Sequence, residues 1–160
     1  MENQFQVIEA RTPADFIVAR ELIEEYQRFL NRDLCFQGFA KELEELSVIY
    51  GSPKGKMFLL TKNGTACGCV GLRDFSQGVA EMKRMYVKPE CTGQGAGRLL
   101  AEHFIQAAKN LGYHQIVLDT VPELQRAITL YRNLGFQEIP AYRFNPDPAA
   151  LFFALPLRRP

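Results

Sequence analysis

The sequence predicts an α/β fold: a mixed, mostly antiparallel central sheet of about seven strands flanked by about four helices, in one domain spanning residues 1–160. Three observations predict it. Short alternating segments in the first half are joined by turn signals, as in a meander; a strand lies between two helical segments in the second half, as in a βαβ crossover; and no linker or internal repeat divides the 160 residues. A chain of about 150 residues buries roughly 68–70% of its unfolded surface, so one core suffices.

Taken in order, Phe5 to Glu9 alternates through Phe5 and Val7 as a first strand. Thr12-Pro13-Ala14-Asp15 supplies a cap and a first-turn proline, and Phe16, Val18, Ala19, Leu22, Ile23, Tyr26, Phe29 and Leu30 follow at spacings of three and four, the mark of an amphipathic helix. A second, short helix from Phe39 to Val48 rests on Leu43 and Leu46, and Gly51-Ser52-Pro53 ends it. Residues 56 to 62 read as a strand, Asn63-Gly64 as a hairpin turn, and Thr65 to Asp74 as its partner. On that partner Cys67 and Cys69, two apart, are expected on one face.

A second turn at Ser76-Gln77-Gly78 leads into Val79 to Lys88, where Met82, Arg84, Tyr86 and Lys88 alternate with Glu81, Lys83, Met85 and Val87 until Pro89 stops the strand. Beyond a glycine-rich turn, Leu99, Leu100, His103, Phe104, Ala107 and Leu111 form a helical stripe ended by Gly112. Ile116 to Leu118 is a short buried strand, and Pro122 opens a further helix through Ala127, Ile128, Leu130, Tyr131 and Leu134 to Gly135. Phe136 to Tyr142 and Ala150 to Leu157 close the chain as strands.

Composition narrows the function. Nineteen basic and eighteen acidic residues leave a formal charge of +1, too weak a field to hold nucleic acid or an anionic membrane. The first residues carry neither a basic segment nor an apolar leader, and no run approaches the ~20 apolar residues of a membrane span, so a cytoplasmic protein is expected. Four cysteines (Cys35, Cys67, Cys69, Cys91) and two histidines (His103, His114) offer no metal-ligand spacing, and no metal is expected.

The chemical signal is Gly93-Gln94-Gly95-Ala96-Gly97, three glycines in five residues between a strand and a helix. Such a turn lets the backbone approach a ligand, and its N–H groups with the helix N-terminus make an anion site suited to a pyrophosphate. A plain flexible loop is the competing reading. A dinucleotide site would use Gly93 and Gly95, with Asp119 at the end of the next strand, but Arg98 holds the third glycine position and the preceding strand alternates instead of being apolar throughout. No G-x-x-x-x-G-K-[S/T] phosphate loop occurs.

The stretch EMKRMYVKPECTGQGAGRLL, from Glu81 to Leu100, resembles the acyl-CoA-binding signature of the GNAT superfamily of N-acetyltransferases, and Ala127-Ile128-Thr129-Leu130-Tyr131 with Gly135-Phe136 resembles its second signature. Two departures stand out: Thr92 where the family usually has Gln or Arg, and Leu124 where many members have an Asn. The resemblance implies transfer of an acetyl group from acetyl-CoA to an amine of a small-molecule or peptide acceptor, by direct attack in a ternary complex. A homodimer is compatible with it, and a non-catalytic acyl-CoA sensor is the alternative.

It also implies residue roles. Met85, Tyr86, Val87 and the loop Thr92, Gly93, Gln94, Gly95, Ala96, Gly97 and Arg98 would hold the cofactor, the amides of Met85 and Val87 acting as oxyanion-type donors. Tyr131 would give a proton to the departing sulfur, the thiol at ~8.5 and the phenol at ~10 being nearly matched. Glu81, expected on one side of its strand with Lys83, Met85 and Val87, would be base or amine anchor. Phe36, Tyr50, Lys83 and Asn145 would border the acceptor, Lys83 and Arg84 offering charge to an acceptor carboxylate.

Overall fold

The computed structural model describes residues 4–30 and 38–158. Seven strands form one sheet in the order β1-β2-β3-β4-β5-β7-β6. They are β1 (Phe5–Glu9), β2 (Lys56–Lys62), β3 (Thr65–Ser76), β4 (Val79–Val87), β5 (Gln115–Thr120), β6 (Gln137–Ile139) and β7 (Leu151–Pro156), with helices α1 (Pro13–Leu30), α2 (Phe39–Glu44), α3 (Leu46–Ile49), α4 (Ala96–Asn110) and α5 (Gln125–Asn133). Every neighbouring pair is antiparallel except β4 with β5, which the α4 crossover makes parallel. The predicted mixed, mostly antiparallel sheet is the one observed.

Local chemistry sets the elements. The Thr12 hydroxyl accepts from the Asp15 N–H at 3.1 Å, and the Asp15 carboxylate accepts from the N–H of Arg11 and Thr12 at 2.9 and 3.1 Å, a reciprocal cap that starts α1. Those backbone donors hold the Asp15 carboxyl below its usual range. Asn63 and Gly64 both sit in the left-handed region, as a two-residue hairpin turn demands.

Two cores sandwich the sheet. Phe58, Leu60, Val70, Leu72, Ile116, Leu118 and Phe153 pack with Leu100 and Phe104 of α4; on the opposite face Met57, Leu59 and Cys69 pack with Leu22 and Ile23 of α1, Phe39 of α2, Leu46 of α3 and Tyr50.

Four expectations need correction. The helix expected over Phe39 to Val48 breaks at Glu45 into α2 and α3. Pro122 lies in a turn, and α5 begins only at Gln125. The strand expected from Phe136 is only Gln137–Ile139, which frees residues 140–150 as a long loop. Cys67 and Cys69 face opposite cores, because a register shift at Leu60/Thr61 inserts an extra residue into β3 between Ala66 and Gly68.

Candidate active site

Two irregularities of β4 build the site. Its pairing with β5 covers Val79↔Gln115, Ala80↔Ile116 and Glu81↔Val117 and stops there, while β5 continues along β7 to Thr120↔Leu151. From Met82 to Val87 the β5-facing edge of β4 has no strand partner among the described residues, so the two strands open into a wedge. The second irregularity is a bulge. Between Cys69↔Tyr86 and Gly71↔Lys83 the register gains a residue, and Arg84 sits at φ 57°, a region costly for a long side chain.

The bulge reverses side-chain parity. Glu81 and Lys83 point with Arg84 and Tyr86 toward the α1/α2 side, whereas Met85 and Val87 join Ala80 and Met82 in the α4 core. The expected common face of Glu81, Lys83, Met85 and Val87 therefore ends at Lys83. What holds the bulge is visible. The Arg84 guanidinium donates twice to Glu42 of α2, at 2.8 and 3.1 Å, and lies 5.2 Å from the Phe39 ring centroid, while the Cys69 thiol donates to the Arg84 carbonyl at 3.3 Å.

At the far end of the wedge the chain makes a 3-10 turn, Pro89–Cys91, closed by the Thr92 hydroxyl donating to the Pro89 carbonyl at 2.9 Å. Gly93 and Gly95 then adopt φ 78° and 80°, and Gly95 starts α4 without any side-chain cap. A Cβ at Gly95 would project into open space. The first turn of this 15-residue helix also carries no acid, so nothing there opposes an anion at its free N–H groups. An anionic pyrophosphate fits that cradle.

Thr92 is spent on Pro89 and Arg98 pairs with Glu102 at 2.8 Å, so neither expected loop side chain points its polar group at the cradle. Cations arrive from elsewhere. The Arg126 guanidinium of α5 would lie 3.6 Å from a Cβ at Gly93, and Lys62 of β2 donates to the Gln94 side chain at 3.3 Å. Sequence reading missed both, since neither is near the loop in the chain; Arg126 sits just before Ala127 of the second signature, the one available hint.

α5 also carries Leu130 and Tyr131 to the wedge: Leu130 and Val87 both approach Gly97, within 3.6 and 4.0 Å of a Cβ there. Tyr131 is buried with its ring 5.6 Å from that of Phe136, and burial raises its hydroxyl well above the phenol range. Tyr26 of α1 contributes to that rise and is itself pushed by burial to about 12. Tyr86 donates to Glu25 of α1 at 2.6 Å.

On the α1/α2 side of β4 Glu81 is completely buried. One oxygen accepts from the Tyr142 hydroxyl at 2.6 Å and Arg143 at 3.2 Å, the other from Arg73 at 3.4 Å. Asn145 donates to Asp119 at 3.1 Å and accepts from the Asp147 N–H at 3.0 Å, pinning the same loop to the end of β5. Lys83 is buried, and burial first, then Arg84, brings its ammonium down to about 8. Tyr50 is 0% exposed, its ring pressed against Gly71, where a Cβ would come within 2.6 Å, and it also lines a pocket with Glu9, Phe16, Ser47 and Lys56. Phe36 and Cys35 lie outside the described residues. No group of His, Cys, Asp and Glu among the described residues could hold a metal, and no described helix is long and apolar enough to cross a membrane.

A wedge between parallel strands with an uncapped helix start at its mouth is an arrangement that can take an acyl-CoA. The chain belongs to the Acetyltransferase (GNAT) family, whose family model matches residues 19–136. It is 35% identical over 159 residues, 98% of each chain, to an uncharacterized N-acetyltransferase of Schizosaccharomyces pombe. Its fold is similar to a structure from Klebsiella pneumoniae assigned as an acyl-CoA N-acyltransferase (TM-score 0.76, 26% identity, 98% of this chain and 100% of that one). It is also similar to one from Salmonella typhimurium solved with its cofactor acetyl-CoA (TM-score 0.69, 19% identity, 98% and 95%). The family's reaction is acetyl-CoA-dependent N-acetylation.

Proposed function

We propose that this chain acetylates the amine of a small-molecule or peptide acceptor by direct attack within a ternary complex. Acetyl-CoA supplies the acetyl group as a reactive thioester. The uncapped α4 N-terminus with Gly93 to Gly97, flanked by Arg126 and Lys62, binds the pyrophosphate. The open edge of β4 offers the Met85 and Val87 amides to the acyl oxygen. A ternary route is favoured because Cys67, Cys69 and Cys91 are all buried, and burial pushes the thiols of Cys67 and Cys69 up to about 12, far from nucleophilic.

Tyr131 gives the proton to the leaving sulfur. Burial keeps its hydroxyl neutral and protonated, which secures the donor, and also makes it a weaker acid than a free phenol, so transfer depends on a close hydrogen bond to the sulfur. Glu81, with three donors on its two oxygens, serves as a positioning residue that fixes the acceptor loop, not as the base. The observation that carries the reading is the convergence of Gly97, Val87 and Leu130, the chain neighbour of Tyr131, at one point of the wedge.

A thiol-release assay with acetyl-CoA across amino acids, polyamines and peptide N-termini tests it. Tyr131→Phe is expected to lower kcat by on the order of 10²-fold while CoA affinity stays within twofold. An unchanged kcat would remove Tyr131 from the role. CoA binding with no release for any amine would instead favour a non-catalytic sensor.

A further inference from the structure

Asp119, the acidic residue that imitates a dinucleotide site in the sequence, stands on the β5 side of the wedge. The last rung between β4 and β5 is Glu81↔Val117, and the same register carried on by two residues sets Asp119 across the gap from Lys83. β5 keeps regular pairing with β7 through Asp119↔Phe152, so its faces alternate without interruption. Ile116 and Leu118 lie in the α4 core; Val117 and Asp119 therefore face the α1/α2 side, with Asp119 half-buried.

That place suits an attacking amine. With the Met85 amide on the acyl oxygen, Asp119 sits two residue rises below it, roughly 6–7 Å along the wedge. An amine nitrogen needs about 3 Å to a carboxylate oxygen and about 3–3.5 Å to the acyl carbon, so one nitrogen spans the gap. Glu81, two residues further back, is roughly 13 Å from Met85 along the strand and already takes three donors. Asp119 is oriented by the Asn145 side-chain amide, which donates to it at 3.1 Å and is itself fixed by the Asp147 N–H at 3.0 Å. A carboxylate accepts in about four directions, so this bond sets its angle without using it up. Lys83 of β4, Tyr26 of α1 and Tyr142 of the β6–β7 loop all feel its charge. Tyr26 also acts on Tyr131, so one side chain lies within electrostatic reach of both Asp119 and the proposed proton donor.

We propose that Asp119 is the base of the acetyl transfer, a catalytic residue that relieves the acceptor's ammonium of its proton. The proposal rests on the transferase reading above. Asp119 takes one proton from the ammonium and passes it to solvent, which frees the nitrogen lone pair. The N–C bond then forms and the C–S bond breaks; the sulfur takes the proton of Tyr131, and the second nitrogen proton leaves through Asp119 to solvent, from which Tyr131 is reprotonated. Ammonium and acetyl-CoA thus become amide, CoA thiol and one released proton.

The test is a pH profile of kcat/KM for wild type and Asp119→Asn, with acetyl-CoA and the best acceptor among amino acids, polyamines and peptide N-termini. The substitution keeps the size of the side chain and an oxygen for Asn145. Below the pKa of the acceptor amine the variant is expected to lose about 10²-fold, with the Kd for CoA within twofold; above that pKa, where the amine is already neutral, the deficit should narrow to less than about tenfold. Asp119→Glu, which keeps the carboxylate, should recover at least about tenfold of the loss. A loss under tenfold at low pH, an equal loss at every pH, or no recovery in Asp119→Glu would overturn the proposal. Of the groups facing Asp119, Tyr26 at about 12 and Tyr142 above the phenol range stay protonated throughout, whereas Lys83 at about 8 titrates within the profile. The pair is therefore repeated in Lys83→Met, where the narrowing should persist; its disappearance would move the proton to Lys83 and sink the assignment. Wild-type turnover with an indifferent Asp119→Asn ends the base alone, while a wild type that acetylates no amine ends the transferase reading and the base with it.

Discussion

Tyr50 carries a hydroxyl that the fold does not use. It is buried, unpartnered, and burial raises it well above the phenol range. Removing an unsatisfied buried polar atom while keeping the ring is neutral or favourable, so Tyr50→Phe should stabilise the protein by up to about 1–2 kcal/mol in denaturant unfolding. A loss of stability would show that the hydroxyl has a partner. Lys83 makes a complementary case. Its folded-state value near 8 lies below the 10.5 of a free lysine, so the unfolded chain binds the proton more tightly and stability rises with pH between those values. The penalty is complete below about pH 8 and gone above about 10.5. Lys83→Met should therefore gain on the order of 2 kcal/mol at pH 7 and nothing at pH 10.5, read from unfolding midpoints at the two pH values.

At the scale of elements, the proposed cofactor loop is an assembly of three segments. The α4 start contributes backbone donors, β2 contributes Lys62 and α5 contributes Arg126. The family's loop side chain is replaced here by Thr92, whose hydroxyl closes its own turn, so positive charge has to come from across the fold. Arg126→Ala should raise the KM for acetyl-CoA on the order of tenfold, the worth of one charge-assisted contact, without altering the KM for S-acetylpantetheine, which lacks the phosphates. An equal effect on both donors would mean that Arg126 acts through packing of α5. The β6–β7 loop is a comparable assembly: Tyr142 and Arg143 tie it to β4, and Asn145 ties it to β5. The β6–β7 loop is thus fixed to both strands of the wedge.

For the molecule as a whole, the wedge leaves the sheet incompletely paired at its centre, and a ligand that fills it should stabilise the entire fold. CoA at about 100 times its Kd is expected to add about 2.7 kcal/mol, seen as a higher Tm than without ligand, whereas NAD should leave the Tm unchanged. Much of this architecture was legible from periodicity and turn residues: the element order, both hairpins, the crossover and the glycine turn. What was not legible shares one cause. The bulge at Arg84 puts no glycine or proline into its strand, and the single Gly68 beside Cys67 sits in an otherwise regular strand pattern, so simple alternation ran straight through positions where the backbone inserts a residue. Side-chain directions past those points were consequently inverted, and contacts made across the fold, Arg126 with Gly93 or Arg143 with Glu81, have no local signature.

The parity change at Arg84 gives β4 the property of a text read in two frames. Up to Lys83 its odd-numbered letters face the α1/α2 side; after the shift the odd-numbered Met85 and Val87 face the α4 core, and Arg84 and Tyr86 take the other side. Edits at positions 81 and 83 therefore change one face of the sheet, and edits at 85 and 87 the other. One residue of slack in a strand makes its two ends separately editable.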